Sequence, residues 1–394
     1  MLRFFTTGES HGEALVAVLS GLPAGVPVDQ AFVDRELWRR QQGYGRGGRM
    51  KIERDTARFT SGVRQGKSIG SPITAFIENR DWANWQESLP VEPGDPAKHK
   101  AVKSPRPGHA DLSGALKYDF KDARYVLERA SARETTSRVA LGALAKLFLR
   151  ELGIEVLSHV IAVGKVRSGN SEPEWAQIKE LYDREDVLLN CVDAEAEQKM
   201  KAEVDKAIEE RDTVGGIFEV VAHGVVPGLG TYANWDERLD TQLAAAVMSV
   251  QAVKAVEIGS GMEGAITPGS SVHDEIGYNN SDDFTRPTRF TRRTNRAGGI
   301  EGGMSNGEDV IVRGYLKPIA TLRRPLQSVD FKTREVVKAA YERSDVCVVP
   351  AAGVVGEAMV ALTLARVALE KFGGDSLVET LRNYNGYVEQ LKRF

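Results

Sequence analysis

The order in which helices and strands are predicted along the chain limits the folds that it can adopt. Strand-like apolar runs and longer helical patterns follow one another without the regular alternation that a parallel, doubly wound sheet requires. The predicted strands lie at residues 14–19, 72–77, 154–166, 217–225, 255–258, 310–316 and 346–349. The predicted helices lie at residues 29–43, 125–152, 193–210, 239–253, 330–342 and 354–371. The pattern therefore argues against a Rossmann-type fold.

Composition is that of an ordinary globular protein. The chain has 394 residues, of which 42% are hydrophobic and 27% charged, and its net charge is -3. No repeat or linker is apparent, so we expect one domain over residues 1–394. Neither Cys191 nor Cys347 belongs to a C-x-x-C pair, which disfavours a zinc site or a disulfide framework, and we expect no metal. No signal peptide is recognisable and no apolar run approaches the roughly 20 residues of a membrane helix, so we expect a soluble cytoplasmic protein.

A histidine on a tight turn is the first candidate for chemistry. His11 lies in the sequence GESHG at residues 8–12, directly before the predicted strand at 14–19. Glycines permit a sharp turn and the close approach of a ligand. An imidazole exchanges protons near neutral pH. A lone histidine in a turn is more often structural than functional, so its role depends on partners elsewhere in the chain.

Two arginine-rich stretches indicate an anionic ligand. Residues 35–67 contain ten basic side chains against three acidic ones, and residues 286–296 contain five arginines and no acid. The glycine-rich loop at 41–49 could direct arginines and backbone amides onto one anion. Arginine binds phosphate and carboxylate through two parallel hydrogen bonds. The alternative is a solvated charged surface, although such a surface normally mixes both signs.

A second glycine-bounded histidine, His109, lies in the sequence SPRPGHAD at residues 104–111, three residues after Arg106. The predicted helix at 125–152 begins with a run of Ala, Ser and Thr, which permits the close packing of another helix or of a flat ligand. A histidine beside arginines could protonate a leaving phosphate. An aspartate beside an arginine, as at Asp345, would be ionised and could act as a base. The residues alone therefore indicate an enzyme that acts on a polyanionic, phosphorylated small molecule.

Two other functions stay open from the residues alone. Residues 259–264 match G-x-G-x-x-G after a predicted strand, as in NAD(P)-dependent oxidoreductases. Pro268 follows at once, which leaves no helix N-terminus for a pyrophosphate. The arginines of residues 286–296 would suit an RNA-binding protein, which the net charge of -3 disfavours.

Five motifs, in order along the chain, resemble the chorismate synthase family. Residues 8–23 resemble its first signature, residues 128–135 (ERASARET) its second, and residues 343–358, which begin RSDVC, its third. RPGHAD at 106–111 and GGMSNG at 302–307 are also similar to that family. Because the motifs span most of the sequence, the resemblance covers essentially the full chain.

The resemblance implies a fold, a reaction and a cofactor. The implied fold is α+β, a β-α-β sandwich with helices between two mostly antiparallel sheet layers. The implied reaction converts 5-enolpyruvylshikimate 3-phosphate into chorismate and phosphate, the last common step toward the aromatic amino acids. It is a trans-1,4-elimination without net redox change that nevertheless requires reduced FMN (FMNH2).

The resemblance also implies partners. Family members are usually homotetramers, so we expect a homo-oligomer. NADPH is expected only as an indirect reductant of the flavin. Since no added reductase domain is visible in the sequence, we expect an external flavin reductase or reductant. We expect neither a nucleic acid nor a membrane as a partner.

Finally, the resemblance assigns roles to individual residues. His11 is expected to protonate the departing phosphate, His109 to protonate the reduced flavin, and Asp345 to help flavin N5 remove the C6 proton. The substrate is expected to contact the following residues: Ser10, Arg40, Arg46, Arg49, Arg106, Arg133 and Arg343. The flavin is expected to contact the following residues: Arg129, Ala130, Ser131, Gln251, Ala252, Gly302, Lys317, Pro318, Ile319, Ala320, Thr321 and Arg343.

Overall fold

Two antiparallel sheets with helices between them dominate the computed structural model, which describes residues 1–47, 54–169, 173–281, 286–342 and 344–394. The strands are β1 (Arg3–Thr7), β2 (Ala14–Ser20), β3 (Arg58–Ser61), β4 (Val63–Arg64), β5 (Lys67–Ser68), β6 (Ile73–Glu78), β7 (Glu155–Val163), β8 (Val166–Arg167), β9 (Gly216–His223), β10 (Val253–Ile258), β11 (Ile276–Tyr278), β12 (Phe290–Arg292), β13 (Ile300–Glu301), β14 (Met304–Ser305), β15 (Val310–Leu316), β16 (Gln327–Val329) and β17 (Val336–Lys338). The α-helices are α1 (Gln30–Gln41), α2 (Asp111–Tyr118), α3 (Arg124–Ala130), α4 (Thr135–Glu151), α5 (Trp175–Asp183), α6 (Ala194–Glu210), α7 (Leu239–Met248), α8 (Gly261–Gly264), α9 (Gly269–Val272), α10 (Val349–Phe372) and α11 (Leu377–Arg393).

The first sheet has the strand order β1-β2-β6-β3, and the second has the order β10-β15-β9-β7-β8. All their pairings are antiparallel. In β2 the inward positions Leu15, Ala17 and Leu19 are buried and alternate with half-buried ones, the pattern of a strand with one face on the core. The remaining pairs form small two-stranded ribbons, such as β16 with β17.

Helices α4 and α10 fill the space between the sheets. Helix α4 packs on β1, β2 and β6 of the first sheet, and α10 packs on β7 and β9 of the second. The two helices pack closely against each other at Gly142, where an added Cβ would lie 2.3 Å from the Cβ of Ala358. The expected α+β sandwich, with helices between two antiparallel layers, is therefore confirmed.

Helix α10 is apolar on all sides because it is covered on all sides. It has 24 residues and is long and apolar enough to cross a membrane by length and composition alone. However, 89% of its most apolar window is buried inside the structure. The expectation that no apolar run approaches membrane length is thus wrong, and burial between two sheets is the reason.

Most predicted elements exist near their predicted places. Asp29 accepts hydrogen bonds from the backbone N–H groups of Ala31 and Phe32 and so caps α1 as expected. The predicted strands at 14–19, 72–77, 154–166, 217–225, 255–258 and 310–316 correspond to β2, β6, β7, β9, β10 and β15. The predicted helices at 193–210 and 239–253 correspond to α6 and α7.

The helix predicted at 125–152 is interrupted at Ser131. This residue has an extended backbone and its side chain accepts a hydrogen bond from the backbone N–H of Arg133. A short 3-10 turn (Ala132–Glu134) then leads into α4. Serine favours such local caps over a helix interior, so the break divides the second family motif between two helices.

Two other predicted elements are wrong. Residues 330–342 contain the turn and the second strand (β17) of the β16–β17 hairpin instead of a helix: Asp330 accepts hydrogen bonds from the backbone N–H groups of Lys332 and Thr333 and so closes a turn. β-Branched Val336 and Val337 then continue as a strand. Residues 346–349 form no strand, because Val349 is already the first residue of α10 and Pro350 occupies its first turn.

Candidate active site

His11 is held against the buried carboxylate of Glu128. The turn after β1 presents His11, and α3 presents Glu128. The imidazole Nδ1 lies 2.9 Å from Glu128 Oε1, and the backbone N–H of His11 donates to Oε2 at 2.8 Å. Burial alone would raise the pKa of Glu128, but the hydrogen bonds and charge of His11 and the charge of Arg124 lower it below its ordinary value.

A tryptophan covers the imidazole. Trp85 follows the short 3-10 turn Arg80–Asn84 and stacks on His11 with ring centroids 4.0 Å apart. Its indole N–H donates to Asp81 at 3.2 Å, and Lys100 Nζ lies 4.0 Å from its ring centroid. The long connection between β6 and α2 therefore covers His11 through Trp85.

His109 also faces a buried carboxylate. Its Nδ1 lies 2.5 Å from Oδ1 of fully buried Asp111, at the start of α2. Arg106 donates to the same carboxylate through Nε at 2.8 Å and through Nη2 at 3.0 Å. Burial would raise the pKa of Asp111, but the hydrogen bonds from His109 and Arg106 hold it well below its usual range. Arg106 also donates to Thr321 Oγ1 at 2.9 Å, which joins this cluster to residues 317–321.

Arg40 and Arg133 meet at Asp55. Arg133 Nη1 donates to Asp55 Oδ1 at 2.6 Å, while Arg40 Nη1 lies 3.6 Å from Oδ2. Burial lowers the pKa of Arg40 to about 9, Asp55 opposes the shift, and the charges of Arg133 and Arg46 add to it. Asn79 connects this cluster to the His11 turn, because its amide donates to Gly12 O at 2.8 Å and its carbonyl accepts from Arg133 Nε at 2.9 Å.

Asp345 lies beside the glycine-rich loop. Its Oδ1 accepts from the backbone N–H of Gly47 at 2.5 Å, and Arg46 Nη1 lies 3.6 Å from its Oδ2. The charges of Arg46 and Asp345 both act on Arg40, so these groups belong to one electrostatic environment. Three arginines in this environment face two carboxylates, which leaves an excess of positive charge for an anion.

Most of the expected flavin contacts lie in one connected region. Glu134 accepts from Thr6 Oγ1 at 2.6 Å and from Gln251 Nε2 at 3.1 Å, and Arg129 donates to Thr6 O at 2.6 Å. Ala252 accepts from the backbone N–H of Lys317 at 3.0 Å, which brings 251–252 beside 317–321. Burial and the charge of Lys254 lower the pKa of Lys317.

The structure leaves some expected residues apart or outside. Gly302 lies in the turn between β13 and β14 with a backbone φ of 58°, and no hydrogen bond among the described residues joins it to the region of 317–321. Arg49 and Arg343 lie outside the described residues. Ala130 is the last residue of α3 and Ser131 its C-cap, directly after Arg129 in the chain. Ile319 O accepts a hydrogen bond from Thr213 Oγ1 at 2.8 Å.

An open cavity adjoins His109. Its volume is about 590 Å³. It is lined by the segment from Pro105 to His109, by Leu112 and Ser113 of α2, and by the β16–β17 hairpin with Phe331. No group of three or more His, Cys, Asp or Glu side chains in the described ranges could hold a metal ion.

Sequence reasoning missed the carboxylates that hold the histidines and arginines. Glu128 lies in the second motif, Asp111 follows His109 by two residues, and Asp55 was counted only as an acid within a basic stretch. The signal for Asp111 was its closeness to His109 in sequence. Glu128 is 117 residues from His11, so only the fold shows that pairing.

The structure supports neither alternative function. Residues 259–264 contain a single helical turn (α8), and an added Cβ at Gly259 would meet the backbone of Arg296 at 2.3 Å, so this glycine serves loop packing. Three of the five arginines of 286–296 are paired with acids outside that run: Arg286 with Glu308 at 2.8 Å, Arg292 with Glu301 at 2.8 Å and Arg293 with Glu275 at 2.6 Å.

Comparisons with known proteins agree over the whole chain. The family model described as chorismate synthase matches residues 2–369. Proteins named chorismate synthase from Koribacter versatilis (strain Ellin345) and Acidobacterium capsulatum are 70% and 69% identical, with all of both chains covered. A protein of the same name from Geobacter sulfurreducens is 54% identical, also over 100% of each chain. A solved structure titled "Crystal Structure of Chorismate Synthase" superposes with a TM-score of 0.78 at 39% identity, covering 100% of this chain and 99% of that one.

Proposed function

Because this chain belongs to the chorismate synthase family, we propose that the clusters around His11, Arg133 and His109 form its active site. The family reaction is the elimination of phosphate from 5-enolpyruvylshikimate 3-phosphate to give chorismate, in the shikimate pathway. The observation that carries the proposal is the cationic cluster of Arg40, Arg46 and Arg133 beside an imidazole. A phosphate and two carboxylates on one substrate match that excess of charge.

His11 is proposed as the acid for the leaving phosphate. Glu128 engages Nδ1, so proton transfer to a ligand falls to Nε2. Asn79 brings the His11 turn next to Arg133, which would bind an anion while the imidazole donates to it. Proton donation at the moment of bond breaking lowers the charge that develops on the leaving group.

Asp345 and His109 are proposed for the other two proton positions. Asp345 carries a carboxylate beside Arg46 and the Gly47 amide, and could accept the substrate proton. His109 engages Asp111 through Nδ1, and Arg106 Nη2 lies 3.0 Å from Nδ1 and 3.4 Å from Nε2, so proton exchange near the flavin would take place beside this guanidinium. Arg106 would contribute its positive charge to the substrate side of this cluster. By family resemblance, Arg49 and Arg343 would contribute theirs, and Ser10 would contribute its hydroxyl.

The chorismate synthase family uses reduced flavin, and the residues here fit one. Oε1 of Gln251 is buried and has no hydrogen-bond partner among the described residues, so it is an acceptor available to a ligand. Small residues at Ala130 and Ser131 leave room for a flat ring, and Arg129 and Lys317 supply positive charge for a phosphate. When bound, reduced FMN would lend electron density to the breaking C–O bond and recover it afterwards.

We further propose the setting in which the enzyme works. The chain would act as one domain within a homo-oligomer, most simply a tetramer, in the cytoplasm. An external reductase or reductant would keep the flavin reduced, with NADPH only its indirect source. The substrate is a small molecule, in keeping with the size and charge of the site.

Anaerobic turnover tests this proposal. The protein is incubated with 5-enolpyruvylshikimate 3-phosphate in four mixtures: with FMN alone, with FMN and dithionite, with FMN and NADPH, and without flavin. We expect chorismate only in the mixture that contains dithionite. Chorismate with NADPH alone would contradict the external reductant, and no chorismate from folded protein in any mixture would contradict the active site.

A further inference from the structure

We propose that Glu128 is a positioning residue for His11, because it binds the Nδ1 edge of the imidazole and thereby fixes the ring proton on that nitrogen. Glu128 would not touch substrate or flavin itself. The inference rests on the proposed role of His11 as an acid, and it adds a residue for which the family resemblance gave no role. Three observations support it: the number of contacts, the ionisation of the carboxylate and the covered face of the imidazole.

Glu128 holds the His11 turn at three points. Its Oε2 accepts the backbone N–H of His11 at 2.8 Å, and its Oε1 lies 2.9 Å from Nδ1. Its backbone carbonyl accepts the N–H of Ser10 at 2.9 Å. The same residue therefore fixes both the backbone and the ring, which limits rotation of the imidazole about its side-chain bonds. Because Glu128 lies on α3, the imidazole is held by a helix and not only by its own loop.

The Glu128 carboxylate must accept a hydrogen bond from Nδ1 of His11. Glu128 is 4% exposed, yet its hydrogen bonds to His11 keep its pKa below the ordinary value, so it is ionised at neutral pH. An ionised carboxylate can only accept hydrogen bonds, so Nδ1 carries a proton and donates it to Oε1. This is the arrangement by which a buried carboxylate selects the tautomer of a catalytic histidine and stabilises its protonated form.

Two cations near His11 explain why a protonated imidazole needs the negative charge of Glu128. Trp85 covers one face of the ring, and Lys100 lies 4.0 Å from the centroid of that indole. Arg124 Nη1 lies 3.4 Å from Glu128 Oε1 and its Nη2 donates to Glu342 at 2.8 Å. Among the described contacts, Glu128 is the carboxylate within hydrogen-bond distance of the imidazole. Asp81 instead accepts from Trp85, and the Glu9 carboxylate lies near Gly12. Without its negative charge, a protonated His11 would face the two cations alone.

The second histidine gives an internal comparison. Asp111 receives two side-chain hydrogen bonds from Arg106 as well as its contact with His109. Among the described contacts, Glu128 receives from an arginine only the 3.4 Å contact with Arg124. The charge of Glu128 is therefore less compensated by arginine than that of Asp111, and it is more available to the imidazole that it faces.

Glu128→Gln is the direct test. Glutamine keeps the volume and an oxygen that can accept the His11 backbone N–H, but it loses the charge. We expect kcat to fall roughly 10²-fold, the low end of what a general acid contributes, with KM nearly unchanged. Because the protonated imidazole loses its counter-charge, the pH at which activity declines on the alkaline side should move to lower pH. Glu128→Asp keeps the charge and should shift that midpoint less.

The His11→Ala background separates positioning from a general structural effect. If Glu128 acts only through His11, Glu128→Gln should cost nothing further in that background. Asp309→Asn is the matched control, since Asp309 pairs with His223 at 2.7 Å where β9 ends and β15 begins, outside the proposed site, and should leave the pH profile unchanged. An equal loss with and without His11 would overturn the proposal.

Nitrogen NMR of the wild-type protein gives a readout that needs no variant to fold. With 15N-labelled histidine, and with His11 assigned from the missing signals of His11→Ala, the neutral ring should be protonated at Nδ1. A neutral ring protonated at Nε2 would overturn the inference. Full turnover of His11→Ala would instead contradict the proposed function, so the two failures can be told apart.

Discussion

At the residue scale, the site pairs each imidazole with a buried carboxylate and surrounds both with arginines. His11 pairs with Glu128 and His109 with Asp111, each through Nδ1. The surroundings of the two rings differ, because Arg106 Nη2 also lies 3.0 Å from Nδ1 of His109. Two imidazoles in separate clusters would suit the proposed reaction, in which one proton goes to phosphate and another is exchanged near the flavin.

His11→Ala and His109→Ala should each lower kcat by roughly 10²–10⁴-fold, the range for loss of a general acid. Asp345→Asn should keep substrate binding while slowing turnover, because the amide cannot accept a proton. Single-turnover assays with dithionite-reduced FMN measure the rates, and FMN binding checks that each variant is folded. Unchanged turnover in both histidine variants would remove them from the chemistry. A pure loss of affinity in Asp345→Asn would make Asp345 a support for the neighbouring arginine.

Asp111 gives a prediction about pH. Its pKa in the folded protein is depressed below its unfolded value of about 3.9, so its contribution to stability is complete above that value and is lost as pH falls through the folded pKa. Asp111→Asn should therefore lower the free energy of unfolding at pH 7 by roughly 1–3 kcal/mol. The difference in the free energy of unfolding between Asp111→Asn and wild type should become smaller below about pH 4. Urea unfolding at pH 7, 5 and 3 measures it, and a difference that stays constant would contradict the prediction.

The sequence was informative about which residue types matter and much less so about how they pair. Histidines on glycine-bounded turns and arginines in glycine-rich loops could be recognised locally. Asp55 could not be assigned, because its partners Arg133 and Arg40 are 78 residues away on one side and 15 on the other, and only the sandwich brings them together. Charge counting failed at 286–296 for the same reason, since the compensating acids lie outside the run.

At the element scale, the crossing of α4 and α10 decides how far apart the two sheets lie. Gly142 lets the helices touch: an added Cβ would meet the Cα of Ala358 at 2.5 Å, and this atom belongs to a backbone that cannot swing away. Gly353 and Gly356 make similar room for the second sheet, where the Cβ positions would meet Ser158 and Phe218. Gly142 in α4 and Gly353 and Gly356 in α10 thus serve the packing of helices and sheet.

Gly142→Ala should destabilise the protein by about 1–3 kcal/mol, the typical cost of overpacking a core. Gly386→Ala on α11 is the control, because an added Cβ there meets nothing within 4 Å. It should stabilise by about 0.4–1 kcal/mol through the lower entropy of the unfolded chain. Urea unfolding of both variants provides the comparison. A Gly142→Ala variant as stable as Gly386→Ala would mean that the two helices can separate without loss.

Elements with strong local signals were predictable, and elements that depend on tertiary partners were not. The strand at 310–316 and the helix capped by Asp29 were predicted nearly to the residue. The β16–β17 hairpin was mistaken for a helix because Asp330 can cap either a helix or a turn. The two β-branched valines in β17 were the local signal in favour of a strand.

At the scale of the whole molecule, one buried ionic network joins the layers. Glu357 on α10 accepts from Arg39 on α1 at 2.7 and 2.8 Å and from Ser158 on β7 at 2.5 Å, and it also binds Lys146 on α4. Glu36 adds a second carboxylate, 3.0 Å from Arg39. Burial would raise the pKa of Glu357, but the charges of Arg39 and Lys146 lower it, so the network is ionised. Arg39 directly precedes Arg40, for which we propose a substrate contact, so the network also fixes the helix that carries this part of the proposed site.

Glu357→Gln should therefore lower the free energy of unfolding by about 3–5 kcal/mol, because Arg39 and Lys146 become buried charges without a full counter-charge. Glu195→Gln, which removes an exposed i,i+4 partner of Lys199 on α6, should leave stability unchanged. If residues 1–394 form one domain, tryptophan fluorescence and far-UV circular dichroism should shift together in Glu357→Gln, since the network joins three helices to the second sheet. Separate transitions from the two probes would mean that the layers unfold independently. An unfolding midpoint of Glu357→Gln equal to that of wild type would mean instead that burial of hydrophobic surface, and not the ionic network, holds the layers together.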